Sequence, residues 1–535
     1  MKVFTYDTTL RDGTQREGLS LSVEDKLRIV ERLDGYGIDY IEGGFPFSNP
    51  KDQQFFKEVA GLKLKHAKIV AFGSTRYKGK KASEDMGLKS LVGADVSTAC
   101  IVGKSWSMQV TEVLRTDLDE NLAMIAESIE FLKDAGLEVF FDAEHFFDGY
   151  TEDPEYSLRC VKAAEAAGAD AIVLCDTNGG KLPLEIRKVT KRMVEAVGAP
   201  IGIHAHNDSG CGIANSLIAV EAGATQVQGT MNGYGERCGN ADLCAIIPSL
   251  VLKLGRECVS EEKLASTMEL AHFVAEVANI APDPHQPYVG VSAFAHKGGQ
   301  HISAISRTAK AYEHVRPELV GNRQRIVVSE LSGRSTIEKK AKEMGIDLEA
   351  HPDLVGSILK AVKDREQYIN SILAKGFHFE AADGSLELLI RRKLHEDAEI
   401  VHLDSFRIIV EKNREGRLDT MANVKIWIDN QIISEYAEGN GPVNALDGAL
   451  RKALLQKYPD LKEIELTDFK VRVLDESTGT GAVTRVLIES TDGEASWGTV
   501  GVSENIIEAS WQALVDSIEY GLRHSKGGSK PLSTS

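Results

Sequence analysis

The first half of the chain alternates short runs rich in β-branched and aromatic residues with longer segments in which apolar residues return at helical spacing. The predicted strands are 3–6, 40–42, 68–72, 96–102, 138–141, 171–174, 201–204 and 226–228. The clearest amphipathic helices are 22–36, 118–135, 157–167 and 184–196, and several helices end in Ala-Gly, a common helix stop. Eight strand-helix units predict an α/β fold, a closed parallel (β/α)8 TIM barrel. An open dinucleotide-binding sheet is disfavoured because no G-x-G-x-x-G follows the first strand.

The second half follows different patterns. Residues 260–395 are mostly helical and charged, whereas the stretch from Phe406 to His524 reads as a duplication. Each copy contains three strands and then a helix with one apolar face, and no cluster of catalytic residue types occurs in it. We predict a barrel over 1–258, helical linker subdomains over 259–399, and a C-terminal α+β domain of duplicated βββα units over 400–535. The last domain is expected to sense a ligand or to drive assembly.

Composition narrows the possible partners. The 535 residues include 80 acidic and 62 basic side chains, giving a net charge of −18, which argues against nucleic acid or an anionic membrane as partner. The seven cysteines are odd in number and show no C-x-x-C spacing, which is typical of a reduced, cytoplasmic protein without a disulfide framework. The N-terminus lacks the apolar core of a signal peptide, and no apolar run is long enough to span a bilayer.

Two separated stretches predict a metal site. His204 and His206 are spaced i, i+2 at the end of the seventh strand, so both imidazoles lie on one side of the backbone. Two close histidines alone can be a coincidence, but residues 7–15 (DTTLRDGTQ) supply carboxylate, guanidinium and amide groups after the first strand. In a parallel barrel the carboxyl ends of all strands share one mouth, where we also expect the polar residues that end other strands, namely Glu42, Glu144, His145, Asp176 and Thr177.

Two further loops carry candidate chemistry. Residues 229–240 (GTMNGYGERCGN) hold four glycines beside Asn, Glu and Arg, more than a simple turn requires. We interpret them as an active-site loop in which Asn240 offers a carbonyl oxygen to the metal. Residues 294–303 (FAHKGGQHIS) contain two histidines around a Gly-Gly pair, and a solvated loop is the alternative there.

Together these motifs resemble the family of 2-isopropylmalate, homocitrate and citramalate synthases, metal-dependent barrel enzymes that condense acetyl-CoA with 2-oxo acids. The matching stretches are 7–15, 41–46, 143–144, 176–177, 204–208, 229–240, 293–301 and the duplicated end, which cover practically the whole chain. The first motif and H-x-H alone would also fit related carbon-carbon lyases and aldolases. The length and residues 40–46 (YIEGGFP) are most similar to the longer citramalate synthases of the family.

The resemblance implies roles for individual residues. The metal ligands would be Asp12, His204 and His206 with Asn240 as a fourth, around Mg²⁺, Mn²⁺ or Zn²⁺ acting as a Lewis acid. Substrate would be bound by Arg11, Gln15 and Thr177, and Arg11 would also stabilise the charge of the enolising thioester. The remaining catalytic residues would be Glu144, His301 and Tyr312, with the proton-abstracting base left open between Glu144 and His301. Since His301 lies outside the barrel, it would reach a neighbouring subunit, so a homodimer is expected.

The expected activity is that of an acyltransferase, which condenses acetyl-CoA with pyruvate and hydrolyses the thioester to give (R)-citramalate for isoleucine biosynthesis. The alternatives are 2-isopropylmalate formation from 2-oxoisovalerate and, less favoured, carbon-carbon cleavage. The resemblance further implies that the C-terminal domain binds isoleucine as an allosteric effector. One residue departs from the family pattern, because Asp142 shares a strand face with Glu144 and is expected to put a second carboxylate near the substrate pocket.

Overall fold

The computed structural model describes residues 1–305, 307–329, 332–366, 376–394, 399–428, 431–474 and 482–524. Eight parallel strands form a closed barrel in sequential order, and β8 closes on β1 by pairing Gly229 with Asp7. The barrel strands are β1 Phe4–Asp7, β2 Tyr40–Gly44, β3 Lys68–Ser74, β4 Thr98–Lys104, β5 Glu138–Glu144, β6 Ala171–Asp176, β7 Ile201–Ala205 and β8 Gln226–Gly229. The predicted barrel is confirmed.

Helices surround the barrel because each presents one apolar face to the strands. They are α1 Val23–Tyr36, α2 Pro50–Val59, α3 Met86–Val92, α4 Leu118–Asp134, α5 Phe146–Glu152, α6 Pro154–Ala166, α7 Pro183–Ala196, α8 Gly212–Glu221, α9 Leu243–Leu252, α10 Glu261–Leu264 and α11 Thr267–Val277. Alternate strand residues point inward, where Tyr6, Tyr40, Phe72 and Phe140 pack against one another. The barrel interior is therefore a filled core, so functional groups are expected at the carboxyl ends of the strands.

The chain divides into two compact units, which do not follow one another strictly in sequence. The first contains residues 1–294 and 313–324, so α10 and α11 belong with the barrel. The second contains residues 295–312 and those from 325 onward. It begins with a short parallel pair and four helices, β9 Ala295–His296, α12 Gly299–Ile305, β10 Arg325–Ile326, α13 Arg334–Glu343, α14 Pro352–Glu366 and α15 Asp383–Leu394.

Two similar sheets complete the second unit. Each is antiparallel, has three strands in sequential order and is followed by a helix, as the sequence predicts. The elements are β11 His402–Lys412, β12 Leu418–Ile428, β13 Gln431–Gly439, α16 Pro442–Leu455, β14 Glu465–Val473, β15 Thr484–Thr491, β16 Ser496–Ser503 and α17 Ile506–His524. Helix α15 packs against β16 and α17, so the last linker helix shares a core with the duplicated unit. Among the described residues, no helix is long and apolar enough to cross a membrane.

Candidate active site

Three side chains from opposite ends of the barrel sequence converge at its mouth. Asp12 lies in the turn after β1, His204 lies in β7, and His206 follows β7 directly. The two imidazole Nε2 atoms are 3.3 Å apart, and Asp12 Oδ2 lies 3.3 Å from Nε2 of His204 and 3.9 Å from that of His206. Nitrogen ligands about 2.05 Å from one tetrahedral ion are themselves about 3.3 Å apart, so the cluster has the spacing of a shared ion.

Asn240 completes the cluster. The glycine-rich loop returns beside β7, where His206 and Asn240 form an isolated β-bridge, and Asn240 Nδ2 lies 2.9 Å from Asp12 Oδ2. Its Oδ1 is buried and has no hydrogen-bond partner among the described residues. A half-turn of the amide exchanges these two atoms and places the oxygen beside Asp12, the spacing expected of two oxygen ligands on one cation. The buried residues present therefore fit a divalent metal ion.

The surroundings of His204 and His206 shift their pKa values in opposite directions. Burial lowers the pKa of His206, and the charge of His204 adds to this, giving a value of about 3. Burial also opposes protonation of His204, but its hydrogen bond to Asp12 and the charge of that carboxylate outweigh burial and raise its pKa. Burial acts against ionisation of Asp12, yet Arg11 and His204 hold its pKa well below the ordinary value. Asp12 is thus an ionised carboxylate, as a ligand must be.

Arg11 is fixed at the same mouth by two neighbours. Its Nε donates to Oε1 of the buried Glu42 over 2.5 Å, and its guanidinium lies 3.8 Å from the ring centre of Phe72. Glu42 Oε2 in turn accepts from the Tyr6 hydroxyl over 2.6 Å. Arg11 Nη1 lies 3.5 Å from Asp12 Oδ1, so the guanidinium stands beside the metal cluster with its direction set by Glu42.

Glu144 ends β5 and forms an ion pair with Lys104, the last residue of β4. Both line a cavity of about 640 Å³ at the carboxyl ends of β3, β4 and β5. The cavity is also lined by aromatic and basic side chains, among them Phe45, Phe47, Tyr77, Lys78 and Lys80. Its wall therefore combines apolar surface and positive charge with two half-buried carboxylates, Asp85 and Glu144.

Asp142, predicted near the substrate pocket, lies within the barrel close to His204 and Arg11. Its side chain is buried in the barrel, where Oδ1 accepts from Gln228 Nε2 over 3.0 Å, and Gln228 Oε1 lies 2.9 Å from Nδ1 of His204. Burial raises the pKa of Asp142, against the charge of His204. The carboxylate therefore contacts Gln228, which in turn contacts His204. The inward face of β5 lines the barrel core at Asp142, two residues before Glu144 at the end of the strand.

The other predicted substrate-binding residues lie on loops at the strand ends. Thr177 follows β6, and its Oγ1 accepts from the backbone N–H of His145 over 2.8 Å. Gln15 is exposed at the end of a one-turn 3-10 helix after Asp12, to whose carbonyl its backbone N–H donates. Arg237 from the glycine-rich loop donates to Asp208 and to the Thr177 carbonyl, so this loop braces the segments after β6 and β7.

His301 and Tyr312 belong to the second compact unit. His301 lies in α12, and its ring stacks on the ring of Tyr312 with centroids 4.0 Å apart and an interplanar angle of 23°. Both side chains are exposed. The structure thus brings these two predicted residues together, and their part in the reaction stays a prediction.

Sequence reasoning missed Lys104 and Gln228 as members of the site. Lys104 ends β4, so the rule that polar residues at strand ends face the mouth would have found it. The sequence places Gln228 in β8 but gives no local pattern for its role. Its hydrogen bonds to Asp142 in β5 and His204 in β7 form only when the barrel closes.

Three family models together match most of the chain. A model described as HMGL-like matches residues 2–274, one described as homocitrate synthase post-HMGL domain-like matches 288–367, and one described as LeuA allosteric (dimerisation) domain matches 380–522. Along the chain, these three models therefore match the barrel, the linker region and the duplicated domain in that order.

Relatives that match nearly the whole chain identify the family more specifically. A protein of Aquifex aeolicus named (R)-citramalate synthase is 53% identical over 97% of this chain and 98% of its own length, and one of Geobacter sulfurreducens with the same name is 52% identical over the same shares. A probable 2-isopropylmalate synthase of Methanopyrus kandleri reaches 32% over 97% of this chain and 98% of its own. Because the first similarity is much higher over the same length, the chain belongs to the (R)-citramalate synthase family.

Proposed function

We propose that this protein condenses the acetyl group of acetyl-CoA with pyruvate and releases (R)-citramalate and CoA. The observation that carries the proposal is the identity of about half of all residues with relatives of that name over nearly the full length. The geometry of the barrel mouth is compatible with it, because a cluster suited to a cation, a fixed guanidinium and a carboxylate in a cavity lie at strand ends.

The proposed metal ligands are Asp12, His204, His206 and Asn240, and the ion is Mg²⁺, Mn²⁺ or Zn²⁺. When bound, the ion supplies Lewis acidity toward the carbonyl group of the 2-oxo acid. Support comes from the ligand spacing and from the buried Asn240 oxygen that has no partner among the described residues. The two imidazoles with oxygen donors suit all three metals.

Arg11, Thr177 and Gln15 are the proposed substrate-binding residues. Arg11 is held by Glu42 and stays charged, so it can stabilise the oxygen charge that develops as the thioester enolises. The Thr177 hydroxyl oxygen accepts one hydrogen bond from His145, which leaves its own hydrogen to donate to the carboxylate of the oxo acid. Gln15 is assigned through the motif that it shares with the family.

The acid-base residues are Glu144, His301 and Tyr312, with Glu144 or His301 taking a proton from the acetyl methyl group. That carbon then forms a bond to the carbonyl carbon of pyruvate, whose oxygen becomes the hydroxyl of the product. Water next adds to the thioester, and CoA leaves as the thiol. Glu144 is paired with Lys104 at the wall of the cavity, which fixes the position of its carboxylate.

The cavity around Glu144 is the proposed place for acetyl-CoA. Its aromatic side chains suit the apolar parts of that substrate, and Lys78 and Lys80 suit its phosphates. The second unit is proposed to supply His301 and Tyr312 to a partner subunit in a homodimer. Its match to an allosteric (dimerisation) domain supports dimerisation and an effector site, and isoleucine is the proposed effector.

The decisive experiment compares the release of free CoA with pyruvate, 2-oxobutyrate, 2-oxoisovalerate and 2-oxoglutarate in the presence of Mn²⁺. We expect the highest kcat/KM with pyruvate, and at least about a tenfold preference over 2-oxoisovalerate, since pocket shape discriminates between methyl and isopropyl by a few kcal/mol. His206→Ala serves as the control and should show no turnover with any substrate. A higher kcat/KM with 2-oxoisovalerate would establish the 2-isopropylmalate alternative instead.

A further inference from the structure

A buried hydrogen-bonded chain runs from Asp142 through Gln228 to His204. Asp142 in β5 accepts from Gln228 Nε2 over 3.0 Å, and Gln228 Oε1 lies 2.9 Å from His204 Nδ1. The strand register places Gln228 directly beside His204, as Cα partners of β8 and β7, and the three residues are at most 5% exposed. No step of the proposed reaction uses Asp142 or Gln228.

The direction of this chain follows from its donors and acceptors. Gln228 turns its NH₂ group toward Asp142, whose Oδ1 accepts, and its carbonyl oxygen toward His204. That oxygen only accepts, so His204 must carry a hydrogen on Nδ1. The neutral imidazole then has its lone pair on Nε2, the atom that faces Asp12 and His206.

The second imidazole of the cluster has no comparable support. Nδ1 of His206 is buried, and in the described part of the chain it has no hydrogen-bond partner. The protein thus fixes the tautomer of one histidine through side chains from two other strands. Groups that hold a metal-binding histidine in this way fix its orientation and raise its basicity.

We propose that Gln228, oriented by Asp142, is a positioning residue that holds His204 as the Nδ1-protonated tautomer and thereby sets the affinity of the cluster for a divalent cation. This inference rests on the proposed metal site. It assigns a function to Asp142, the buried carboxylate of β5.

The test measures Mn²⁺ binding to the full-length protein by calorimetry and by electron paramagnetic resonance of the free ion, without substrate. Gln228→Met keeps the side-chain length but removes the acceptor, and we expect it to weaken Mn²⁺ binding by about 10- to 100-fold. The double variant Asp142→Asn, Gln228→Glu moves the carboxylate next to His204, with the new amide donating to it. It should bind Mn²⁺ at least as tightly as the unchanged protein, a recovery that a packing role would not produce.

Gln226 provides a matched control, because it is buried on the same face of β8 two residues earlier. Gln226→Met should change the Mn²⁺ affinity by less than about twofold, because a substitution away from the proposed ligands is expected to have little effect on metal binding. If Gln228→Met does not fold, Gln228→Asn replaces it with the same expectation, because the shorter amide cannot make both contacts.

The unchanged protein and His204→Ala are titrated alongside, which separates the two possible failures. If the protein binds no Mn²⁺, or His204→Ala binds it equally well, the metal assignment itself is wrong. If binding depends on His204 but Gln228→Met stays within twofold, or the double variant binds as weakly as Gln228→Met, only the positioning role is overturned.

Discussion

At the scale of single residues, the site is a set of buried charges that hold one another in place. Glu42 is fully buried between the Tyr6 hydroxyl and the guanidinium of Arg11. Burial raises the pKa of Glu42, whereas Arg11 acts in the opposite direction. The pair therefore depends on both partners, because a buried charge without its counter-ion is costly.

Removing Glu42 should accordingly destabilise the barrel. Glu42→Ala removes the closer of the two carboxylates beside Arg11. Breaking a buried ion pair typically costs about 3–5 kcal/mol, or roughly 6 °C or more in the apparent unfolding midpoint of a barrel this size. Glu42→Gln keeps a hydrogen-bonding side chain of the same shape and should lose less than half as much. Thermal unfolding followed by circular dichroism measures both.

Glu31→Ala is the control, since Glu31 is exposed on α1 and should shift the midpoint by about 1 °C or less. Equal midpoints for Glu42→Ala and Glu31→Ala would mean that Glu42 does not support Arg11 in the folded protein.

At the scale of elements, the glycine-rich loop places Asn240 beside Asp12 and His206, two of the proposed metal ligands. Gly239 has φ +89°, and a Cβ there would lie 2.1 Å from the Gly233 carbonyl oxygen. Only glycine allows both this backbone conformation and this close approach. The sequence interpretation of 229–240 as more than a turn thus has a structural reason, namely the return of the chain beside β7.

Gly239→Ala should therefore displace Asn240 and weaken Mn²⁺ binding by about tenfold or more, equivalent to about 1.4 kcal/mol of strain at the loop. Gly180→Ala, in the loop after β6, is the matched control because its added methyl group meets open space. Calorimetric titration with Mn²⁺ compares the two. Unchanged affinity in Gly239→Ala would contradict a role for Asn240 as a ligand.

At the scale of the whole molecule, control is expected to reside in the second unit, which also carries the proposed acid-base residues His301 and Tyr312. The second unit joins α15 to the duplicated sheets through a core that contains Leu386, Leu389, Val500 and Val502. A chain ending at Glu399 would keep α15 but remove the two valines, so its loss of response could reflect a damaged core. Regulation is better tested in the full-length protein.

We expect isoleucine to lower the rate of citramalate formation by about 5- to 150-fold at saturation, a coupling of about 1–3 kcal/mol between separate sites. Leucine and valine should act more weakly. Initial rates at several pyruvate concentrations measure the effect, and Mn²⁺ affinity measured in parallel should stay unchanged, because the effector does not compete at the metal site. If none of the three amino acids alters the rate, the duplicated sheets serve assembly alone.

The sequence by itself determined the elements and the residue types of the site. Apolar periodicity is local, so it predicts strands, helices and the repeated βββα order without any knowledge of distant contacts. The polar residues at the carboxyl ends of the strands likewise predicted that candidate metal-binding and catalytic side chains gather at the barrel mouth. Only the tertiary structure decided how these groups pair: Asn240 meets Asp12 across 228 positions, and Gln228 meets Asp142 across 86. Such pairings arise from barrel closure, which brings together side chains whose partners no local pattern specifies.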